Sequence, residues 1–258
     1  VEYRDYIKEH RRVEVGFGGE YSVGGIYIND SMETTLPGLY AAGEVGCGTF
    51  GANREADAVT EMIAQGYKAG EVAAKRVKDE MSLSADRDSV AKAVGALEQI
   101  LSNENGITIK QAKKQLQSIS DRTLKLLRNE KTLSCGVADY EKLGDALVNI
   151  TIASKGLTYN RELLEALQLG NLLTCSRISA KMALERTESR GVHLREDYPM
   201  IDNENWQVRL TACLQNGVDV LNCEKPVVTK IPLRKPEKID YSTFVMTEDL
   251  GMKNMEET

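Results

Sequence analysis

The stretch from residue 36 to 78 constrains the fold more than any other. Leu36-Pro37-Gly38 is a turn signal. Leu39-Tyr40-Ala41-Ala42 is an apolar run of the length of a buried strand, and Gly43-Glu44 ends it. Gly51-Ala52-Asn53-Arg54 follows shortly. From Arg54 to about Lys78 the pattern turns helical, with Val59, Met62, Ile63, Val72 and Val77 largely on one side and Lys and Glu elsewhere. The order is strand, Gly-rich loop, helix. Upstream, Val13-Glu14-Val15 and Ile26-Tyr27-Ile28 alternate as short strands do, with glycines at 16, 18, 19, 24 and 25 marking tight turns.

Residues 86 to 190 are helical by their local signals. Asp86 or Asp88 is placed to cap a helix through Ser102, Thr108 one running past Leu127, and Asn160 a long one through Met182. An antiparallel bundle is expected. Ser82-Leu83-Ser84-Ala85-Asp86 and Ser102-Asn103-Glu104-Asn105-Gly106 are linkers by composition, and the first is the expected domain boundary. Beyond residue 190, Asp197-Tyr198-Pro199 and Asp202 to Trp206 are loop chemistry. Val208 to Leu214 and Val227 to Leu233 alternate weakly, and the charged tail after Lys235 is expected to be loosely held.

The 258 residues, 41% of them hydrophobic, are enough for one large domain or two smaller cores. A net charge of -6 creates no positive field that nucleic acid or an anionic membrane would select, so no nucleic-acid partner is expected. Apolar runs such as residues 36 to 45 break off well before the roughly 20 residues of a spanning helix, so no transmembrane segment is expected. Cys47, Cys135, Cys175, Cys213 and Cys223 form no C-x-x-C pair, which fits neither a disulfide framework nor a metal-ligand set. A reducing, cytoplasmic compartment and no metal site follow as expectations. Val1-Glu2-Tyr3-Arg4-Asp5 has neither an initiator Met nor the order of a signal peptide, so the chain is expected to start partway through a longer product.

Glycines let a backbone approach a flat ring with no Cβ in the way, and a strand ending in Gly-Glu projects a carboxylate that accepts hydrogen bonds from hydroxyls. Taken alone, Gly24, Gly25 and Gly43 can equally shape turns only, with Glu44 a solvated cap. Three ordered blocks decide between these: Ser22-Val23-Gly24-Gly25-Ile26, the run from Leu36 to Glu44, and Gly51-Ala52-Asn53-Arg54 before a helix. Their order and spacing resemble the flavoprotein subunits of succinate dehydrogenase and fumarate reductase, and their relatives L-aspartate oxidase and adenylylsulfate reductase. A second run, Glu188-Ser189-Arg190-Gly191-Val192-His193-Leu194-Arg195-Glu196-Asp197, resembles the one that closes the family's helical bundle. Gly191 there is suited to stop the long helix. Its acids and arginines are expected to tie the bundle to its neighbour, and His193 to be a hydrogen-bonded structural histidine.

The resemblance implies a fold in three parts. Residues 1–81 are the C-terminal portion of an FAD-binding, Rossmann-like α/β domain with a remnant of the capping domain. Residues 82–190 are an α-helical bundle, and residues 191–258 a return segment and irregular tail. It implies FAD as cofactor, with Gly24, Gly25, Gly43, Glu44, Asn53, Val59 and Thr60 on the cofactor side. Arg54 is implied to grip a carboxylate of a small substrate with two parallel hydrogen bonds, which orients it for hydride transfer. An iron-sulfur electron-transfer subunit is an implied partner, with docking at the cytoplasmic face of a membrane through it, and self-association is a further expectation.

Departures from the family pattern carry their own expectations. The family's substrate-binding His-Tyr pair is here Glu20-Tyr21, and after Arg54 come Glu55-Ala56-Asp57 where the family has Leu-Gly-Gly. Acids beside a dicarboxylate repel it in a low-dielectric cleft, so either the substrate is changed, less anionic or cation-bearing, or these side chains point away; the changed substrate is the expectation. No Gly-x-Gly-x-x-Gly opens a helix, and the family's flavin-linking histidine and proton-delivering arginine belong to an upstream half. The 258 residues alone are therefore expected to bind FAD weakly and turn nothing over. Two alternatives remain: a docking module whose bundle presents a surface to a redox subunit, and an enzyme of the adenylylsulfate reductase kind.

Overall fold

The computed structural model describes residues 22–47, 58–79 and 84–226, together with Lys8. The chain divides into two compact units, Val1–Met81 and Ser82–Thr258. Glu20, Asn53, Arg54, Glu55, Asp57, the alternating run at residues 13–15, the one at 227–233 and the tail all lie outside the described residues.

In the first unit, a 3-10 turn at Gly43–Val45 packs on helix α1, Ala58–Asp79. The two expected strands are each reduced to one isolated bridge. Ile26 pairs in parallel with Gly46, and Tyr40 in antiparallel with Glu33. Strand pairing gains by repetition along a ladder, and here Gly43, at φ 78, turns the chain into the 3-10 turn directly after Ala42. The α/β character therefore shows among the described residues only as bridges against a helix. The apolar stripe on α1 is also corrected. Val59, Ile63 and Val77 are exposed, and the fully buried positions are Glu61 and Gln65.

The second unit is a helical bundle. Helix α2, Arg87–Ser102, starts at Asp86, whose carboxylate accepts from Ser89 N. Helix α3, Ile109–Thr123, starts at Thr108 in a reciprocal capping box with Gln111. Helix α4, Glu130–Leu147, starts at Asn129, and helix α5, Arg161–Glu185, at Asn160. Each cap satisfies an amide that the first helical turn leaves without a partner. Helices α3, α4 and α5 enclose the core, which includes Ala112, Leu116, Tyr140, Leu143, Leu169 and Leu173. Helix α2 lies outside it, with Leu97, Ile100 and Leu101 packed against it and Val90 and Val94 exposed.

Two helix ends differ from expectation. α3 stops at Thr123, and Leu127–Arg128 (β1) instead pairs in parallel with Leu194–Arg195 (β2). α5 stops at Glu185 with Arg186 as its C-cap, five residues before Gly191. Gly191, at φ 57, instead shapes the tight turn between Arg190 and His193. Strands Arg209–Gln215 (β3) and Val218–Glu224 (β4) form an antiparallel hairpin. Its two-residue turn, Asn216-Gly217, has both residues at positive φ, as hairpins with a right-handed twist require. Asp219 ties the hairpin to α5 by accepting from Arg177 and from Lys181 (3.1 Å).

The end of α5 is held by a fully buried guanidinium. Arg195 Nη1 donates to the carbonyls of Ala183 (2.9 Å), Leu184 (3.1 Å) and Arg186 (3.1 Å). Its Nε and Nη2 donate to the two oxygens of Asp197, both at 2.8 Å. Asp197 in turn accepts from Glu130 N at 2.7 Å, at the start of α4. The Arg195 contact holds the Asp197 carboxyl below its ordinary range. Beside it, buried Glu188 accepts from Arg186 (2.6 Å) and from Arg190 (2.8 Å). Replacing Arg195 with Leu removes the guanidinium that faces the carbonyls of Ala183, Leu184 and Arg186 and strands Asp197. Urea unfolding followed by the fluorescence of Trp206, the single tryptophan, should show a loss of about 3–5 kcal/mol.

His193 sits in the same cluster with both ring nitrogens engaged. The Arg186 carbonyl only accepts, so Nε2 carries the proton and donates to it (3.2 Å), while Nδ1 accepts from Arg128 Nη1 (3.2 Å). A second proton on Nδ1 would face a donor. Burial first, and then the Arg128, Arg186 and Arg195 charges, lower its pKa to about 4, against the opposing pull of the Arg186 carbonyl. The native state therefore holds His193 neutral while the unfolded chain takes up a proton below about 6.5. Stability is full above that pH and falls as pH drops from about 6.5 to about 4, by a total of order 3 kcal/mol at 1.36 kcal/mol per pKa unit. Unfolding curves across that range should show this slope, and His193→Gln should flatten it.

Candidate functional site

Within the first unit, the expected flavin-facing groups gather around one turn. The segment from Ser22 to Ile28 runs beside the 3-10 turn: Ile26 N donates to the Val45 carbonyl (2.9 Å) and Cys47 N to the Ile26 carbonyl (2.8 Å). Glu44 stands on the turn itself rather than at a strand tip, and its Oε1 accepts from Ser22 N at 2.7 Å. Gly24, Gly25, Gly43 and Glu44 are thus brought together. Val59 and Thr60 are exposed on the first turn of α1, and Asn53, Arg54 and Glu20 lie outside the described residues.

The glycines here are required by space as well as conformation. A Cβ on Gly25 would lie 2.5 Å from the Val45 carbonyl oxygen and 2.6 Å from that of Gly46. A Cβ on Gly43 would lie 2.8 Å from Met62 Cγ. Gly24, at φ 117, is different: among the described residues nothing lies within 4 Å of where its Cβ would be, and none of them covers its bare backbone. An uncovered glycine backbone next to an exposed carboxylate suits a planar group that carries a hydroxylated chain, which is the chemistry of FAD.

The groups that hold this turn and the neighbouring Pro37-Gly38 turn against α1 were not read from the sequence. Buried Gln65 accepts from Gly43 N through Oε1 (2.7 Å) and donates from Nε2 to Glu61 Oε1 (3.1 Å). Glu33 accepts from Gly38 N (2.7 Å) and from Arg76 Nη1 (2.6 Å), joining the Pro37-Gly38 turn to α1. The available signal was the spacing of Glu61 and Gln65 at i, i+4, which shares one helix face. The apolar stripe opposite outweighed it. Among the described residues no cluster of His, Cys, Asp and Glu could hold a metal, and no helix is long and apolar enough to cross a membrane. A groove of about 640 Å³ over the start of α3, lined by Thr108, Lys110, Lys113, Glu162 and Glu165 among others, contains none of the expected site residues.

The two glycines of the loop should respond unequally to alanine. Gly25→Ala forces a methyl into two carbonyl oxygens and should cost about 2–4 kcal/mol, whereas Gly24→Ala meets only backbone strain, about 1–2 kcal/mol. Limited proteolysis of residues 22–47 checks this, with cleavage accelerated far more in Gly25→Ala.

Comparison with known proteins places these elements. The family described as fumarate reductase flavoprotein C-term matches residues 113–241, and the FAD binding domain family matches residues 3–59. The fumarate reductase flavoprotein subunit of Haemophilus influenzae is 27% identical over 242 residues, 92% of this chain and 40% of that protein. That of Mycobacterium tuberculosis is 31% identical over 195 residues, 72% of this chain and 33% of that protein. The E. coli quinol fumarate reductase structure shares the fold at a TM-score of 0.76, with 24% identity, covering 83% of this chain and 38% of that one. Adenylylsulfate reductase of Archaeoglobus fulgidus is less similar, with a TM-score of 0.62 and 20% identity, covering 82% of this chain and 34% of that one. The chain spans about 40% or less of the length of the curated relatives named here. With a family match over half its residues, and Gly24, Gly25 and Glu44 around one turn, the chain belongs to the flavoprotein-subunit family of fumarate reductase and succinate dehydrogenase.

Proposed function

We propose that the polypeptide carrying this chain is an FAD-dependent oxidoreductase acting on a small carboxylate-bearing substrate. The observation that carries the proposal is the hydrogen bond from Ser22 N to Glu44, which ties the carboxylate to the start of the Gly24-Gly25 loop, two residues before the open backbone of Gly24. FAD, when bound, supplies the acceptor or donor of a hydride. The residues of this chain position it. Glu44 would accept hydrogen bonds from the ribityl hydroxyls, Gly24 and Gly25 would admit the ring, and Val59 and Thr60 would line the approach from α1, with Asn53 assigned to the cofactor side by the family resemblance alone. The runs matched at residues 3–59 and 113–241 support this assignment.

Arg54 is the proposed substrate clamp, since its guanidinium matches a carboxylate with two parallel donors. Glu55 and Asp57 follow it directly in sequence, and Glu20 occupies the place of the family's substrate-binding histidine. A second full negative charge on the substrate would be repelled there, so the favoured substrate is less anionic than a simple dicarboxylate or carries a cation. Electrons pass to or from an iron-sulfur partner subunit, which also brings the protein to the cytoplasmic face of a membrane. The exposed Leu164, Leu167 and Leu172 of α5 favour a role for the bundle in such assembly.

The experiment is reconstitution. The chain joined to its upstream half and supplied with FAD should show a flavin absorbance band that survives gel filtration, and the 258 residues alone should retain no flavin. A colourless joined protein would sink the proposal. In the loaded enzyme, Arg54→Ala should lower kcat/KM by about 10²–10³-fold, the cost of removing one partner from a desolvated charge pair.

A further inference from the structure

Gln65 makes contacts that packing alone does not explain. It is 5% exposed, on the face of α1 that meets the 3-10 turn, and its neighbour Glu61 is 4% exposed. A buried amide must satisfy its polar atoms or lose stability, and an apolar side chain of similar volume stabilises such a site at least as well. What the amide adds is direction. The Gly43 N–H can only donate, so Oε1 must face it, at 2.7 Å. Nε2 is thereby turned to Glu61 Oε1, at 3.1 Å, which fixes the amide plane from the other end.

Gly43 is in this way held at both of its polar atoms. Its N–H meets Gln65, and its carbonyl accepts from Gly46 N at 3.0 Å, closing the turn. Its backbone also lies directly against Met62 of α1, so close that a side chain there would collide. Glu44 is the next residue, and any rotation of the Gly43 peptide swings its carboxylate away from Ser22 N. The following carbonyl, of Val45, accepts from Ile26 N, and with the Gly46 carbonyl it packs so close to Gly25 that no Cβ fits there. The carboxylate and the bare-backbone loop thus both depend on where the Gly43 peptide is held.

We infer that Gln65, oriented by Glu61, is a positioning residue for the flavin site, setting the Gly43–Glu44 turn so that Glu44 and the Gly24-Gly25 loop meet the cofactor together. This rests on the flavin assignment of Glu44 made above. Gln65 touches no cofactor atom. It acts through the peptide between Ala42 and Gly43, and its effect is read in cofactor affinity and in the flavin's surroundings rather than only in fold stability.

The test is a double-mutant cycle on the flavin-loaded protein, with FAD as the probe. FAD affinity is measured by fluorescence quenching, the flavin environment by visible circular dichroism, and fold stability by thermal unfolding. Gln65→Leu should weaken FAD binding by about 10-fold or more and change the visible dichroism, with Glu44→Ala of similar size. The double variant should be little worse than either alone, because both act through the placement of one carboxylate. Gln65→Met, which keeps the length of the side chain, serves if the leucine variant does not fold. If a Gln65 variant lowers the unfolding temperature but leaves FAD affinity and dichroism unchanged, or if the two effects multiply independently, Gln65 is a core residue only and the inference fails. If Glu44→Ala alone leaves FAD affinity unchanged, the flavin assignment of the turn fails first, and the inference falls with it.

Discussion

The second unit depends on a charge buried at the end of its longest helix. The last carbonyls of α5 have no intrahelical donor, and in a packed interior water does not reach them. Arg195 supplies donors to three of them and sets its remaining face on Asp197, which passes the contact on to the first amide of α4. One side chain therefore answers the carbonyl end of one helix and, through its partner, the amide end of another. The negative end of α5 meets the positive Arg195 and the positive end of α4 meets the negative Asp197, so the pair also complements the two helix dipoles. The short β1–β2 pairing, the Glu188 cluster and the neutral His193 all form around this arrangement. The run from Glu188 to Asp197 is accounted for by structure, within one unit.

The first unit uses the same logic with a neutral group. Gln65 is an amide instead of a guanidinium, and it answers one backbone donor instead of three acceptors. In the proposed flavoprotein, the distance between what binds and what positions is one peptide bond. That explains why such a residue carries no signature of its own: its chemistry is ordinary, and only its contact is special.

The sequence was most legible where the physics is local. Asp86, Thr108 and Asn160 each cap the helix expected of them, because a side-chain oxygen reaching an amide two or three residues on is settled within one turn. Legibility failed where a partner elsewhere decides. α3 runs short of its expected length because Leu127 and Arg128 are taken up by Leu194 and Arg195, more than sixty residues away. β4 was missed although Asn216-Gly217 announces a hairpin, since Val218 to Glu224 alternates too weakly to register without β3 beside it. The stripe of α1 misled for the same reason, for which face of a helix is buried depends on what it meets.

The amino-acid order by itself determined the family, through Gly24-Gly25, Gly43-Glu44 and the Glu188 to Asp197 run. It also determined the helix starts and the helical character of the bundle. These are properties of residue type and short spacing, which the chain carries wherever it is. Only the tertiary structure decided that Glu44 bonds back to Ser22, that Gln65 and Glu61 are the buried face of α1, and that Arg195 joins two helix ends. Each of those rests on contacts between residues brought together by the fold, such as Ser22 with Glu44, Gly43 with Gln65 and Glu130 with Asp197, which local residue spacing does not encode.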